Sequence, residues 1–189
     1  ADPATKFRAG IGNRSIEHHY VTMTTDKICA LPVQSRCLAD SRLYIWSTVP
    51  QLANTIARIL PAWGFEYSSH CVWDKTDEDN ETEQGTGLVF RNQHELLIYA
   101  KRGKPPGPAF KPMSIYRERK REHSRKPDHY REMIHRMCGG SVVEGQWIGG
   151  LPVLEMFARV DPEHPLPANW ESWGNESINP ETGEVTEAA

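Results

Sequence analysis

An α/β protein, its sheet built with crossover connections, is the fold class this sequence predicts, and three observations predict it. Runs rich in aromatic and β-branched residues alternate along the chain with stretches whose apolar residues recur at helical spacing. Turns and loops marked by Gly, Pro and Asp separate these segments. The chain has 189 residues, enough to bury the core of one ordinary domain.

The elements follow in order. Asp2-Pro3 reads as a turn, and residues 6–15, polar and Gly-bearing, read as a loop. Thr25-Asp26 caps a short helix that runs to Leu31. Residues 42–49 are rich in aromatic and β-branched side chains and form the first strand. Leu52, Ile56, Ile59 and Leu60 recur at helical spacing, and that helix ends before Pro61-Ala62-Trp63-Gly64. Residues 67–75 form a second strand, followed by an acidic loop over 76–87 that has no packing pattern.

Residues 95–100 give a third strand, closed by Lys101-Arg102-Gly103, and the Pro/Gly-rich stretch 104–112 is a loop. Pro127 stands at the first position of a helix whose stripe is Tyr130, Met133, Ile134 and Met137. That helix stops at Cys138-Gly139-Gly140, and residues 153–159 form a fourth strand. Residues 179–189 read as a disordered tail. Open sheets of this kind bind ligands beyond the carboxyl ends of their strands. Asp2, Lys75, Lys101 and Arg159 fall at or near predicted strand ends, so the site is expected there.

Bulk properties narrow the function classes. A formal charge of -3 argues against a cationic coat over the whole molecule. Lys and Arg crowd between Lys101 and Arg136, however, so a local basic face is open. Cys29, Cys37, Cys71 and Cys138 are scattered without CxxC spacing, which suits reduced thiols in a cytoplasmic protein. No apolar run is long enough to span a bilayer and no signal peptide is visible, so no membrane partner is expected.

Three segments could carry chemistry. Arg125-Lys126-Pro127-Asp128 sets a cation just before a helix N-terminus, where free backbone donors suit a carboxylate or phosphate. Read alone, it is equally a solvated basic face. Trp173-Gly174-Asn175-Glu176 could grip paired ribose hydroxyls, or be a surface turn behind a packed Trp. Asp2-Pro3 could aim a carboxylate and a rigid carbonyl at an exocyclic amine, or simply turn the chain. Arg91-Asn92-Gln93-His94-Glu95 either lines a pocket or ends the acidic loop. His18-His19 has no third ligand at recognisable spacing, so no metal is expected. Ser47 and Ser69 lack a nucleophile elbow, which leaves hydrolase triads unsupported.

Taken in order, these segments resemble the MT-A70-like adenine-N6 methyltransferases, in their bacterial and phage form. That family runs Asp-Pro-Pro-Trp-x-Phe, His-Tyr-x-Thr-Met, Ala-Trp-Gly-Phe, Arg-Asn-x-His-Glu, Glu-His-Ser-x-Lys-Pro-Asp, Glu-Leu-Phe-Ala-Arg and Trp-Gly-Asn-Glu. Here stand Asp2–Phe7, His19–Met23, Ala62–Phe65, Arg91–Glu95, Glu122–Asp128, Glu155–Arg159 and Trp173–Glu176. Three positions depart from the pattern: Ala4 and Thr5 replace the second Pro and the Trp, and Met156 stands in place of Leu. The resemblance also implies a strand leading into Asp2, of which this chain carries Ala1 alone, and residues 139–150 read as an insertion.

The resemblance implies a Rossmann-like fold, with a mostly parallel sheet and flanking helices, in a methyltransferase domain over residues 1–178. It implies S-adenosyl-L-methionine as cofactor and the exocyclic N6 amine of adenine as acceptor. Asp2 and the Pro3 carbonyl would accept hydrogen bonds from that amine. Lys126 would pair with the cofactor carboxylate, Asn175 and Glu176 would hold its ribose, and Phe157 and Arg159 would lie beside it. Thr5, Phe7, Tyr20, Asn92 and Glu95 would face the base. DNA is expected as substrate ahead of RNA, with a homo- or heterodimer left open. The alternative is a member impaired in catalysis by Ala4-Thr5, acting as a nucleic-acid-binding or partner subunit.

Overall fold

Strand β1 (Ser41–Thr48) and strand β3 (His94–Arg102) show how the sheet is made. Their side chains alternate between two apolar layers, because successive residues of a strand point to opposite faces. Leu43, Ile45, Leu96, Ile98 and Ala100 join one buried cluster, whereas Trp46 and Leu97 join the other. A strand buried on both faces has little use for polar residues, which explains the unbroken run Leu96-Leu97-Ile98-Tyr99-Ala100. The computed structural model describes residues 1–3, 23–77, 79, 81, 85, 89–121, 125–157 and 166–173.

Helices cover both faces. Helices α1 (Thr25–Cys29), α2 (Val33–Arg36) and α3 (Ala57–Ala62) bring Ile28, Val33, Ile59 and Leu60 onto the first face. Trp63, fully buried behind α3, donates its indole N–H to the Ile28 carbonyl at 2.9 Å and so ties α3 to α1. Helix α1 is capped by Thr24, one residue earlier than its sequence suggests, through a 3.3 Å bond from Lys27 N. Residues Leu52–Ile56 wind as a wider π turn before α3 begins. Helix α4 (Asp128–Met137) covers the second face with Tyr130 and Met133, two members of its expected stripe, and Ile134 and Met137 pack partly buried beside them. Pro127 is the residue capping α4, and the first helical residue is Asp128.

The sheet departs from a mostly parallel one. Strand β3 runs antiparallel to both β1 and β2 (Glu66–Thr76), and β2 is parallel to β4 (Ile115–Arg119). The order is β1-β3-β2-β4. The reason lies in the connection between β2 and β3. That acidic stretch has no helical periodicity and cannot furnish a crossover, so the chain returns beside β2 with its direction reversed. The connection from β1 to β2 does carry α3, and β1 and β2 are parallel as a crossover requires, with β3 inserted between them.

Two smaller ribbons complete the described structure. Strands β5 (Gly140–Val143) and β6 (Gln146–Gly149) form a hairpin over residues 139–150, turned by Glu144 at φ 50 and Gly145 at φ 77. Positive φ at both central residues matches the twist of the strands. Strands β7 (Val153–Met156) and β8 (Trp170–Trp173) pair in parallel. Ala1 and Asp2 join β1 to β7. Ala1 donates to Tyr44 O at 2.8 Å and accepts from Trp46 N at 3.0 Å, and Asp2 N donates to Met156 O at 3.4 Å. No helix among the described residues is long and apolar enough to cross a membrane.

Candidate active site

Four charges of alternating sign stand in a row where β1, β3 and α4 meet. Lys126 Nζ lies 3.0 Å from Asp2 Oδ2 and 3.3 Å from Glu95 Oε2, and Lys75 Nζ lies 2.5 Å from Glu95 Oε1. Each member arrives by a different route. Asp2 is held between β1 and β7 by its own backbone and that of Ala1. Glu95 is the second residue of β3, opposite Thr48 at the end of β1. Lys75 comes from β2, near its carboxyl end, and Lys126 from the residue before the cap of α4.

The row is partly withdrawn from water. The side chains of Lys126 and Glu95 are 17% and 14% exposed, whereas Asp2 is 39% exposed. Burial works against the Lys126 ammonium, but the carboxylates of Asp2 and then Glu95 more than offset it and raise its pKa. Burial would likewise lift the Glu95 carboxyl, yet Lys126 first and Lys75 second hold it below the usual value. Aromatic rings floor the row: Lys126 lies 5.5 Å from the centroid of Trp46, and Lys75 lies 4.9 Å from that of Trp73.

A cleft of about 1130 Å³ opens along this row, walled by Asp2, Pro3, Glu95 and Lys126 and by Glu155 and Phe157. Phe157 is buried and sits at φ 62, a left-handed backbone uncommon for a bulky residue, immediately after β7. Its N–H donates to Trp173 O at 2.8 Å, which fixes the turn at the cleft wall. Arg131 of α4 reaches Glu155 Oε1 with Nε at 3.2 Å and Nη2 at 3.0 Å, clamping α4 to β7. The wall therefore offers paired cations and carboxylates side by side, a donor set that suits a zwitterionic amino-acid group.

Of the residues singled out in the sequence, Asp2, Pro3, Glu95, Lys126 and Phe157 all line this cleft. Asn92 precedes β3 and does not line it. Lys101 stands at the opposite end of β3, beside Arg42 near the start of β1, because the reversal of β3 carries its carboxyl end away. Thr5, Phe7, Tyr20, Arg159, Asn175 and Glu176 lie outside the described residues, as do His18-His19 and the tail 179–189. Sequence reasoning placed Lys75 at a strand end without its partner, and missed Trp46, Arg131 and the contact of Glu155 with Arg131. Spacing carries no signal for these, since each contact joins elements far apart in the chain.

Comparison with known proteins adds two findings. The MT-A70 family profile matches residues 1–176. The chain is also 29% identical over 191 aligned positions to "Type II methyltransferase M.MunI" of a Mycoplasma species, covering 96% of this chain and 72% of that protein.

Proposed function

This chain belongs to the MT-A70 family of methyltransferases, and from that premise we propose that it methylates the exocyclic N6 amine of adenine in DNA with S-adenosyl-L-methionine, on a Rossmann-like fold. The observation that carries the reading is the placement of Asp2 3.0 Å from Lys126 in a cleft at the end of β1. The type II name of the Mycoplasma relative favours DNA over RNA.

When bound, the cofactor supplies an electrophilic methyl group on a sulfonium. The chain's own part is positioning. The Asp2 carboxylate and the Pro3 carbonyl accept hydrogen bonds from the amine and aim its lone pair, while Lys126 fixes the carboxylate in place. Orientation of this kind supplies a large share of the acceleration. Lys126 and Arg131 are the cleft cations that would hold the cofactor's carboxylate, and Phe157, Arg159, Asn175 and Glu176 would be the residues for the rest of it. Glu95 would face the base from the cleft, with Thr5, Phe7 and Tyr20 as the further base residues, whereas Asn92 stands off the cleft; the base leaves the stack of a duplex before it reacts.

Ala4-Thr5 favours a second reading, a member that binds nucleic acid or a partner without turnover. An aromatic platform under a base is worth about 1–3 kcal/mol. One experiment separates the readings. The full chain is incubated with methyl-labelled cofactor and duplex DNA, and the DNA is digested to nucleosides. Label in N6-methyladenine, lost in Asp2→Ala, is the expected result. Cofactor binding by calorimetry without label in DNA supports the second reading, and label in RNA alone reassigns the substrate. An Asp2→Ala variant as active as its parent ends the proposed mechanism.

A further inference from the structure

Lys75 is a charged group near the site that does not line the cleft. Among the described residues, it reaches the cleft through Glu95. The two oxygens of Glu95 are divided, Oε1 to Lys75 at 2.5 Å and Oε2 to Lys126 at 3.3 Å. Lys126 in turn stands closer to Asp2, at 3.0 Å. Lys75 is itself held: its N–H donates to Gln93 O at 3.0 Å, two residues before Glu95, and its ammonium rests near Trp73.

We propose that Lys75 is a positioning residue, which occupies one oxygen of Glu95 so that Lys126 is left to fix Asp2. A carboxylate with both oxygens unoccupied draws an ammonium between them. Without Lys75, Glu95 would take Lys126 with both oxygens, and Asp2 would lose the cation that orients it. The row would also carry a net negative charge in place of a balanced one, because two carboxylates would face a single ammonium. Lys75 therefore tunes a reacting group it does not touch. This inference rests on Asp2 being the group that receives the amine.

The groups facing Glu95 are Lys75 and Trp73 from β2, Lys126 and Tyr130 from the helix side, and Thr48 from β1. Lys75→Met removes the charge and keeps the apolar stem, and Lys75→Arg restores a cation. In Lys75→Met, kcat should fall about tenfold or more, the scale of one charged hydrogen bond, and the KM for cofactor should rise with it, because the Lys126 drawn onto Glu95 also serves the cofactor's carboxylate. Lys75→Arg should recover most of the loss. Lys75→Met combined with Glu95→Gln should be no slower than Glu95→Gln alone, since Lys75 acts through Glu95. Parent-like kinetics in Lys75→Met, or a loss that adds fully to that of Glu95→Gln, overturns the proposal.

A readout without cofactor or DNA separates this from the methyltransferase reading. The Glu95 carboxyl titration, followed by NMR, should move upward in Lys75→Met and return in Lys75→Arg. An unmoved titration overturns the role of Lys75 even in a chain that transfers methyl groups. A moved titration without methyl transfer in the parent supports the pairing and overturns the methyltransferase reading instead.

Discussion

The ammonium of Lys126 lies 3.0 Å from the carboxylate of Asp2, although most of the chain separates them. One residue is held between two strands by backbone hydrogen bonds, and the other rides on the start of α4. Their approach gives the cleft a carboxylate of defined orientation, because a cation holds it.

Lys126→Met should damage stability and activity together. It leaves the carboxylates of Asp2 and Glu95 without their shared cation, and Glu95 is only 14% exposed. Breaking one partner out of a largely buried pair costs about 3–5 kcal/mol. Denaturant unfolding should show a lower midpoint, and methyl transfer should fall to background. Parent-like stability would mean that the ion row is not the bond between α4 and the sheet.

Stability should have a plateau bounded by two losses. The folded Glu95 carboxyl titrates below its reference value of 4.5, so its contribution is present above that pH and is lost as pH falls through the folded value. The folded Lys126 ammonium titrates above its reference value of 10.5, so its contribution is full below that pH and is lost as pH rises through the folded value. Thermal midpoints measured across pH should fall at both ends. Glu95→Gln should flatten the acid limb, and an unchanged acid limb in that variant would contradict the assignment.

Tyr130→Phe should stabilise the fold. Tyr130 is 2% exposed, and its hydroxyl has no hydrogen-bond partner among the described residues. Its ring packs edge-on against Trp46 with centroids 4.9 Å apart, a contact that Phe retains. Removing a buried hydroxyl without a partner should gain about 1 kcal/mol. The denaturant midpoint should rise with the slope unchanged. A fall of similar size would show that the hydroxyl is bonded after all.

Gly140→Ala should disturb the hairpin and spare the ion row. A Cβ there would lie 2.1 Å from Nε2 of His135, a fully buried ring. Overpacking against such a wall costs roughly 1–3 kcal/mol. The thermal midpoint should drop by several degrees, while transfer at low temperature stays near that of the parent. A midpoint equal to the parent's would mean that His135 yields.

Much of this protein is legible in its sequence. The apolar runs of β1 and β3, the stripe of α4 and the presence of α1, though not the residue that caps it, follow from side-chain periodicity and backbone chemistry, which act over a few residues. The ordered motifs from Asp2 to Glu176 identified the family, since spacing along the chain is itself a sequence property. Short strands such as β4 and β8 escaped notice because four or five residues hold too little periodicity.

What only the tertiary structure decided is direction and partnership. The reversal of β3 removed Lys101 from the cleft and brought Glu95 into it, with Lys75 and Lys126 on its two oxygens. A helical or strand pattern states which face a residue occupies within its own element. It does not state which end of a neighbouring strand lies alongside, nor which of many cations a buried carboxylate meets, because those depend on how distant segments pack to exclude water.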